Sequence, residues 1–104
     1  MKKIRHIVLF RLKDFAEGCT KAENAFKIKS MLEELPALIP QIKYYEVGIN
    51  IIESSRAGDV SLISTFDCMD DLELYRIHPE HIKVVDFIMK VRSESWSVDY
   101  TPAV

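Results

Sequence analysis

The chain has 104 residues, of which 48% are hydrophobic and 29% charged, and its formal net charge is −2. This length corresponds to a single domain with one modest core, and the composition excludes an intrinsically disordered protein. The charge gives no support for nucleic-acid binding, because proteins of that class normally carry a concentrated basic surface.

The N-terminal segment does not read as a targeting sequence. Charged residues follow Lys2 and Lys3 closely, and no apolar run approaches the roughly 20 residues of a membrane-spanning helix. We therefore expect a cytoplasmic protein with neither a membrane nor a nucleic-acid partner. Cys19 and Cys68 could form one disulfide, but without a secretory context two reduced thiols are favoured.

The first predicted element is a strand over residues 3–12. Its side chains alternate between two faces, and both faces are largely apolar. One face consists of Ile4, His6, Val8, Phe10 and Leu12, and the other includes Ile7 and Leu9. His6 is the polar exception on its face.

A helix is predicted over residues 21–35, after a polar connection at residues 14–20. Thr20 precedes this helix and Glu23 follows three residues later, which is the spacing of a capping box. Pro36 and Pro40 should end the helix. Its apolar positions are Ala22, Ala25, Phe26, Ile28, Leu32 and Leu35.

Two further strands are predicted over residues 42–52 and 59–66, with the turn-rich residues 53–58 joining them as a hairpin. The former strand alternates between two largely apolar sets. These sets are Tyr45, Val47, Ile49 and Ile51 on one face, and Ile42, Tyr44, Glu46 and Gly48 on the other. The latter strand places Val60, Leu62, Ser64 and Phe66 on one face.

The last third of the chain predicts two helices and a strand. Asp67 is expected to cap a short helix at about residues 69–77, and Pro79 to open the next helix. The expected buried stripe of that next helix is Ile82, Val85, Ile88 and Met89. A strand over residues 95–101 follows, with Trp96, Val98 and Tyr100 on one face.

This order of elements predicts an α+β fold of the ferredoxin-like β-α-β-β-α-β type, formed by residues 1–104 as a single domain. In that fold one antiparallel sheet has helices on one side only. The first two strands are apolar on both faces, so the second sheet face would remain exposed in a monomer. We therefore expect a homodimer in which a second copy covers that face.

The segment from Tyr75 to His81 is the chemically distinctive part of the chain. His81 falls in the first turn of a helix, where the helix dipole disfavours imidazolium and favours a neutral ring able to act as a base. Tyr75 could orient a substrate carbonyl or stabilise an enolate. His6 should approach the same cavity from the first strand, whereas His78, next to Pro79, is better explained as a helix cap.

Structural roles remain open for each of these side chains. Tyr75 could be a core aromatic, and His6 a hydrogen-bonded core residue. A metal site built on His6, His78 and His81 is a further alternative, although no carboxylate completes a motif. No phosphate loop, dinucleotide fingerprint or nucleophile elbow is present, so no cofactor is predicted.

Three segments together resemble the stress-responsive A/B barrel (Dabb) family. They are the strand from Ile4 to Lys13, the motif His78-Pro79-x-His81, and the ending Val98-Asp99-Tyr100-Thr101-Pro102. The resemblance spans nearly the whole chain and implies a dimeric α/β barrel, in which two ferredoxin-like sheets face each other.

The resemblance also implies a site. In the plant olivetolic acid cyclases of this family, a cofactor-free reaction uses a His and a Tyr at positions that match His81 and Tyr75, and a pocket His that matches His6. By this resemblance His81 and Tyr75 would be catalytic and His6 would lie in the pocket. We expect His6, Leu62 and Phe26 to contact a small, partly apolar carbonyl compound. The alternative is a non-catalytic stress-response or structural dimer whose histidines have structural roles.

Overall fold

The structure is a computed structural model that describes residues 2–103. It is an α+β fold in which a four-stranded antiparallel sheet has the strand order β4-β5-β1-β6. The strands are β1 (Ile4–Leu12), β2 (Phe15–Ala16), β3 (Cys19–Thr20), β4 (Tyr44–Ile49), β5 (Val60–Phe66) and β6 (Arg92–Tyr100). The helices are α1 (Lys21–Glu33), α2 (Leu35–Leu38), α3 (Met69–Ile77) and α4 (Pro79–Val91). The predicted ferredoxin-like arrangement is confirmed.

Local sequence signals account for several element boundaries. Thr20 and Glu23 form the predicted capping box: the Glu23 amide donates to Thr20 Oγ1, and the Thr20 amide donates to Glu23 Oε1. These two bonds satisfy amides at the start of α1 that have no partner within the helix. Pro79 lies in the first turn of α4, as predicted.

The connection before α1 contains structure that the sequence pattern did not predict. Phe15–Ala16 pairs with Cys19–Thr20 in a two-stranded ribbon. Glu17 and Gly18 form its turn with φ of 51° and 76°. Positive φ at both central residues is the geometry of the type I′ turn, whose twist matches the twist of the flanking strands.

Several sequence predictions were wrong in detail. Ile51 lies beyond the end of β4 and is 91% exposed, so it does not belong to a buried strand face. Cys68, not Asp67, occupies the N-cap position of α3, and no side chain caps that helix. α1 ends at Glu33, before Pro36 as predicted but two residues earlier than residue 35, and Pro36 itself lies in the first turn of the short helix α2.

The buried face of α4 also differs from the prediction. The structure buries Val84, Ile88 and Val91 and leaves Ile82 and Met89 exposed. Most positions between residues 82 and 91 are apolar, so spacing alone does not identify the buried side. Packing of α4 against α1 selects it.

The helices cover one face of the sheet, and the outer face is open. Alternation along β1, β5 and β6 places a set of apolar side chains on this outer face, namely Ile7, Leu9, Ile63, Trp96, Val98 and Tyr100. Trp96 and Val98 are 45% and 51% exposed. Arg5 lies over Tyr100 at one end, and Arg11 lies over Trp96 and contacts Glu94 at the other. None of the helices between residues 2 and 103 has both the length and the apolarity to span a membrane.

Candidate functional site

A cavity of about 270 Å³ lies between the sheet and the helices. Polar side chains line it from four elements, and they include His6 of β1, Tyr75 of α3, His81 of α4 and Asp99 of β6. Arg76, Arg92, Ser95 and Ser97 also line it, together with apolar side chains that include Val8, Phe10, Leu32, Leu62, Val85 and Ile88. The fold thus brings His6 to the same cavity as Tyr75 and His81, which are about 70 positions further along the chain.

His81 is held in one protonation form by its neighbours. Its Nδ1 lies 3.2 Å from the backbone oxygen of Arg76, and a carbonyl oxygen can only accept, so Nδ1 carries the proton. Burial lowers the pKa of His81 from its ordinary value of 6.5, and the positive charge of Arg76 lowers it further, while the hydrogen bond to the Arg76 carbonyl opposes this shift. The neutral ring therefore has its lone pair on Nε2, which is the arrangement of a general base.

Tyr75 packs against His81 and is fully buried. The two ring centroids are 4.1 Å apart, and the ring of Phe66 lies 4.9 Å from that of Tyr75. The Tyr75 hydroxyl is 2.7 Å from the hydroxyl of Tyr45 on β4. Burial raises the pKa of Tyr75 to about 12, so at neutral pH its hydroxyl keeps its proton.

The Tyr45 hydroxyl supplies the Tyr75 oxygen with a partner. Burial raises the pKa of Tyr45 even further than that of Tyr75, so both groups stay protonated. When Tyr45 donates to Tyr75, the Tyr75 proton remains available for a group inside the cavity. The alternation of the sequence predicted that Tyr45 shares a strand face with Val47, but it gave no sign that Tyr45 belongs to the site.

His6 forms an ion pair with Asp99 across neighbouring strands. The two residues are direct partners in the register of β1 and β6, and His6 Nδ1 contacts Asp99 Oδ1. Asp99 orients the ring and leaves Nε2 as the other hydrogen-bonding atom. Sequence analysis missed Asp99, although its alternation with Trp96, Val98 and Tyr100 places it on the opposite, helix-facing side of β6.

His78 lies outside the cavity lining and caps α4. Its Nδ1 accepts a hydrogen bond of 3.1 Å from the Glu80 amide, so the predicted capping role is confirmed. His78 is not among the side chains that line the cavity with His6 and His81. Within residues 2–103, no group of three or more His, Cys, Asp or Glu side chains is arranged to hold a metal ion.

The two predicted apolar contact residues have different positions. Leu62 of β5 is buried and lines the cavity. Phe26 does not line it and is 66% exposed, which contradicts its predicted place among the contact residues. Phe26 follows Ala25, and one residue is a rotation of roughly 100° around a helix, which turns it away from the buried side.

A larger depression of about 510 Å³ lies near Arg11, Asp14, Lys21 and Asp59. These four charged side chains are paired with one another or with near neighbours. Lys21 Nζ is 3.4 Å from Asp14 and 3.7 Å from Asp59, and Arg11 contacts Glu94 at 3.1 Å. The smaller cavity is the better candidate site, because it combines apolar walls with a base and a hydroxyl donor.

The sequence matches the model of the stress responsive A/B barrel domain family over residues 4–102. The chain belongs to this family. The Dabb domain therefore occupies nearly the whole chain, and the resemblance seen in the three sequence segments is confirmed at the level of the family.

Individual relatives agree with this assignment. A stress-response A/B barrel domain-containing protein of Arabidopsis thaliana is 32% identical over 101 residues. The match covers 93% of this Dabb chain but 36% of the plant protein, so the chain spans well under half of that relative's length. A dimeric ferredoxin-like protein of unknown function from Bacteroides fragilis is 31% identical, with a TM-score of 0.80 and 95% of each chain covered.

The hydroxynitrile lyase from Passiflora edulis shares the fold as well. Its TM-score is 0.81, with 98% of this chain and 94% of the lyase covered. Its sequence identity is 16%, so the similarity concerns the fold alone.

Proposed function

We propose that this Dabb protein binds a small, partly apolar carbonyl compound and catalyses proton transfer at the carbon next to the carbonyl, without a cofactor. The observation that supports this most strongly is the pairing of His81 with Tyr75. A neutral imidazole with its proton fixed on Nδ1 lies against a protonated phenol inside one cavity. Base and hydroxyl donor are the two groups that an enolisation needs.

In the proposed reaction, His81 Nε2 removes a proton from the carbon next to the carbonyl. The electron pair of that C–H bond moves into a new C=C bond, and the carbonyl oxygen takes up the negative charge. Tyr75 donates a hydrogen bond to this oxygen. Return of the proton to another carbon gives an isomerase, and attack of the enolate on a second carbonyl of the same molecule gives a cyclase.

The test is exchange of the α-protons of 4-phenyl-2-butanone in D₂O, followed by NMR. The expected rate for His81→Gln is about 100-fold or more below that of the unmodified protein, because the base is lost. Tyr75→Phe removes the donor to the oxyanion and should also slow exchange, by about 100-fold.

His78→Asn is the matched control, since asparagine keeps a side-chain acceptor at the cap and position 78 lies outside the cavity lining. Its exchange rate should equal that of the unmodified protein. Equal rates in unmodified protein and in folded His81→Gln would contradict the proposal, as would exchange no faster than in buffer alone.

A non-catalytic role is the second candidate, and it is favoured by the exposed outer face of the sheet. We propose that two copies associate through the apolar set Ile7, Leu9, Ile63, Trp96, Val98 and Tyr100. The charged residues at its ends would form a polar rim. The Bacteroides fragilis relative is described as dimeric, which supports this assembly. In this alternative the protein has a structural role that depends on its stable dimer, and the side chains of His6 and His81 contribute to packing.

A further inference from the structure

The cavity has different chemistry at its two ends. His81 lies in the first turn of α4, and Arg92 lies where α4 ends and β6 begins. Both residues line the cavity. They are eleven positions apart, which is about 16 Å along a helix axis. Val85 and Ile88 of α4 line the wall between them, so a ligand that meets both ends is elongated and has an apolar middle.

Positive charge exceeds negative charge around this space. Asp99 is the acidic residue among the lining side chains, and it is already engaged by His6. Arg76 and Arg92 both line the cavity, and neither belongs to an ion pair with any residue between 2 and 103. Arg92 is half-buried, so its guanidinium lacks both full hydration and a protein counter-charge.

We infer that Arg92 binds a carboxylate of the substrate, and that the site takes elongated carbonyl compounds that end in this group. The guanidinium fork matches the two oxygens of a carboxylate, and the paired hydrogen bonds fix the orientation of the ligand. This inference rests on the proposed function for the position of the carbonyl. With the carboxylate at Arg92, the apolar middle passes Val85 and Ile88, and the far end reaches Tyr75 and His81.

The charge around His81 is consistent with an anionic ligand. When His6 and Asp99 are counted as one pair, Arg76 and Arg92 give the side chains that line the cavity a net positive charge. A positive field attracts anions into a cavity with low-dielectric walls and raises their local concentration. Burial, and to a smaller degree the charge of Arg76, lowers the pKa of the His81 ring in the same cavity.

The experiment compares binding of 9-oxo-9-phenylnonanoate, whose ketone and carboxylate are separated by a long apolar chain, with that of its primary amide, which has the same shape and no charge. Isothermal titration calorimetry gives the two dissociation constants for each variant. In the unmodified protein the carboxylate should bind about 10-fold or more tightly than the amide. In Arg92→Gln this ratio should fall to about one, while Arg92→Lys, which keeps the charge without the fork, should give an intermediate ratio.

Arg56→Gln is the matched control, because Arg56 lies in the exposed turn between β4 and β5, away from the cavity lining, and it should leave the ratio unchanged. Thermal unfolding checks that each variant is folded. Equal affinity for the two probes, a ratio that survives Arg92→Gln, or no binding of either probe would overturn the inference. Tighter binding of 3-phenylpropyl phosphate than of the carboxylate would overturn it too, since it would indicate a phosphate site.

This outcome is separate from that of the proposed reaction. Exchange that depends on His81, together with equal affinity for the carboxylate and its amide, would leave the reaction standing and remove the carboxylate site. Binding that depends on Arg92 without any exchange would do the opposite.

Discussion

At the scale of single residues, the site depends on which partner each polar side chain finds. His81 has a carbonyl acceptor at Nδ1, Tyr75 has the Tyr45 hydroxyl, and His6 has the Asp99 carboxylate. These partners fix a neutral base and a neutral hydroxyl donor side by side in the cavity. The same residues in water would be mobile and would lack this fixed geometry, so the surroundings create the proposed reactivity.

The lowered pKa of His81 has a consequence for stability. The unfolded chain binds a proton at this histidine more readily than the folded protein does, so acid favours unfolding. The contribution of His81 to the free energy of unfolding should be constant above its ordinary pKa of 6.5 and should fall as pH drops from there through the folded value. The expected result is that the stability of His81→Gln decreases less steeply between about pH 7.5 and about pH 5 than that of the unmodified protein.

Urea denaturation at a series of pH values measures this difference. Parallel stability curves for the two proteins would show that His81 has the same proton affinity in the folded and unfolded states.

At the scale of elements, short-range signals place the helices, while packing selects their buried faces. The capping box of α1 and the His78–Pro79 start of α4 are both readable in the sequence and both present in the structure. Because His81 is the third residue of α4, the residue at which this helix begins determines where the imidazole lies relative to the ring of Tyr75. The His78 cap therefore connects a local backbone signal to the geometry of the site.

Removal of the His78 cap should destabilise α4 while leaving the side chains that line the cavity unchanged. His78→Ala removes the acceptor of the Glu80 amide and should lower the free energy of unfolding by about 1 kcal/mol. His78→Asn should stay within a few tenths of the unmodified value, because asparagine is a preferred cap residue. Chemical denaturation of both variants measures the difference, and an equal loss in the two would contradict the capping role.

At the scale of the whole molecule, the two faces of the sheet have different surroundings. Its inner face joins the helices to form the core and the cavity. Its outer face exposes a continuous apolar set of side chains flanked by charged residues. Covering several hundred Å² of such surface stabilises an assembly by on the order of 10 kcal/mol before the costs of association, at roughly 25 cal/mol per Å².

A charge in the middle of the outer face should therefore prevent association. Val98 lies opposite Ile7 near the centre of this face, and Val98→Glu should convert a dimer into a monomer in light-scattering measurements at micromolar concentration. Phe26→Glu is the control on the helical side, where a similarly exposed apolar residue becomes charged, and it should leave the mass unchanged. A monomeric unmodified protein, or a dimer that persists in Val98→Glu, would remove the proposed interface.

The sequence by itself determined the order of the longer helices and strands, which side chains share a face of β1 and β5, the capping box, and the family. These follow from the alternation of neighbouring residues, from caps and from prolines, all of which act over a few positions. It also indicated Tyr75, His81 and His6, because they interrupt otherwise apolar patterns or belong to a recognisable motif.

Only the tertiary structure determined which polar side chains contact one another. Asp99 meets His6 through the register of two strands at opposite ends of the chain, and Tyr45 meets Tyr75 across the sheet–helix boundary. The exposed position of Phe26 on α1 and the buried face of α4 were decided in the same way. Each helix has apolar residues on more than one side, and packing against the neighbouring elements selects the side that is buried. Contacts between residues far apart in the chain depend on register and packing, which local patterns do not encode.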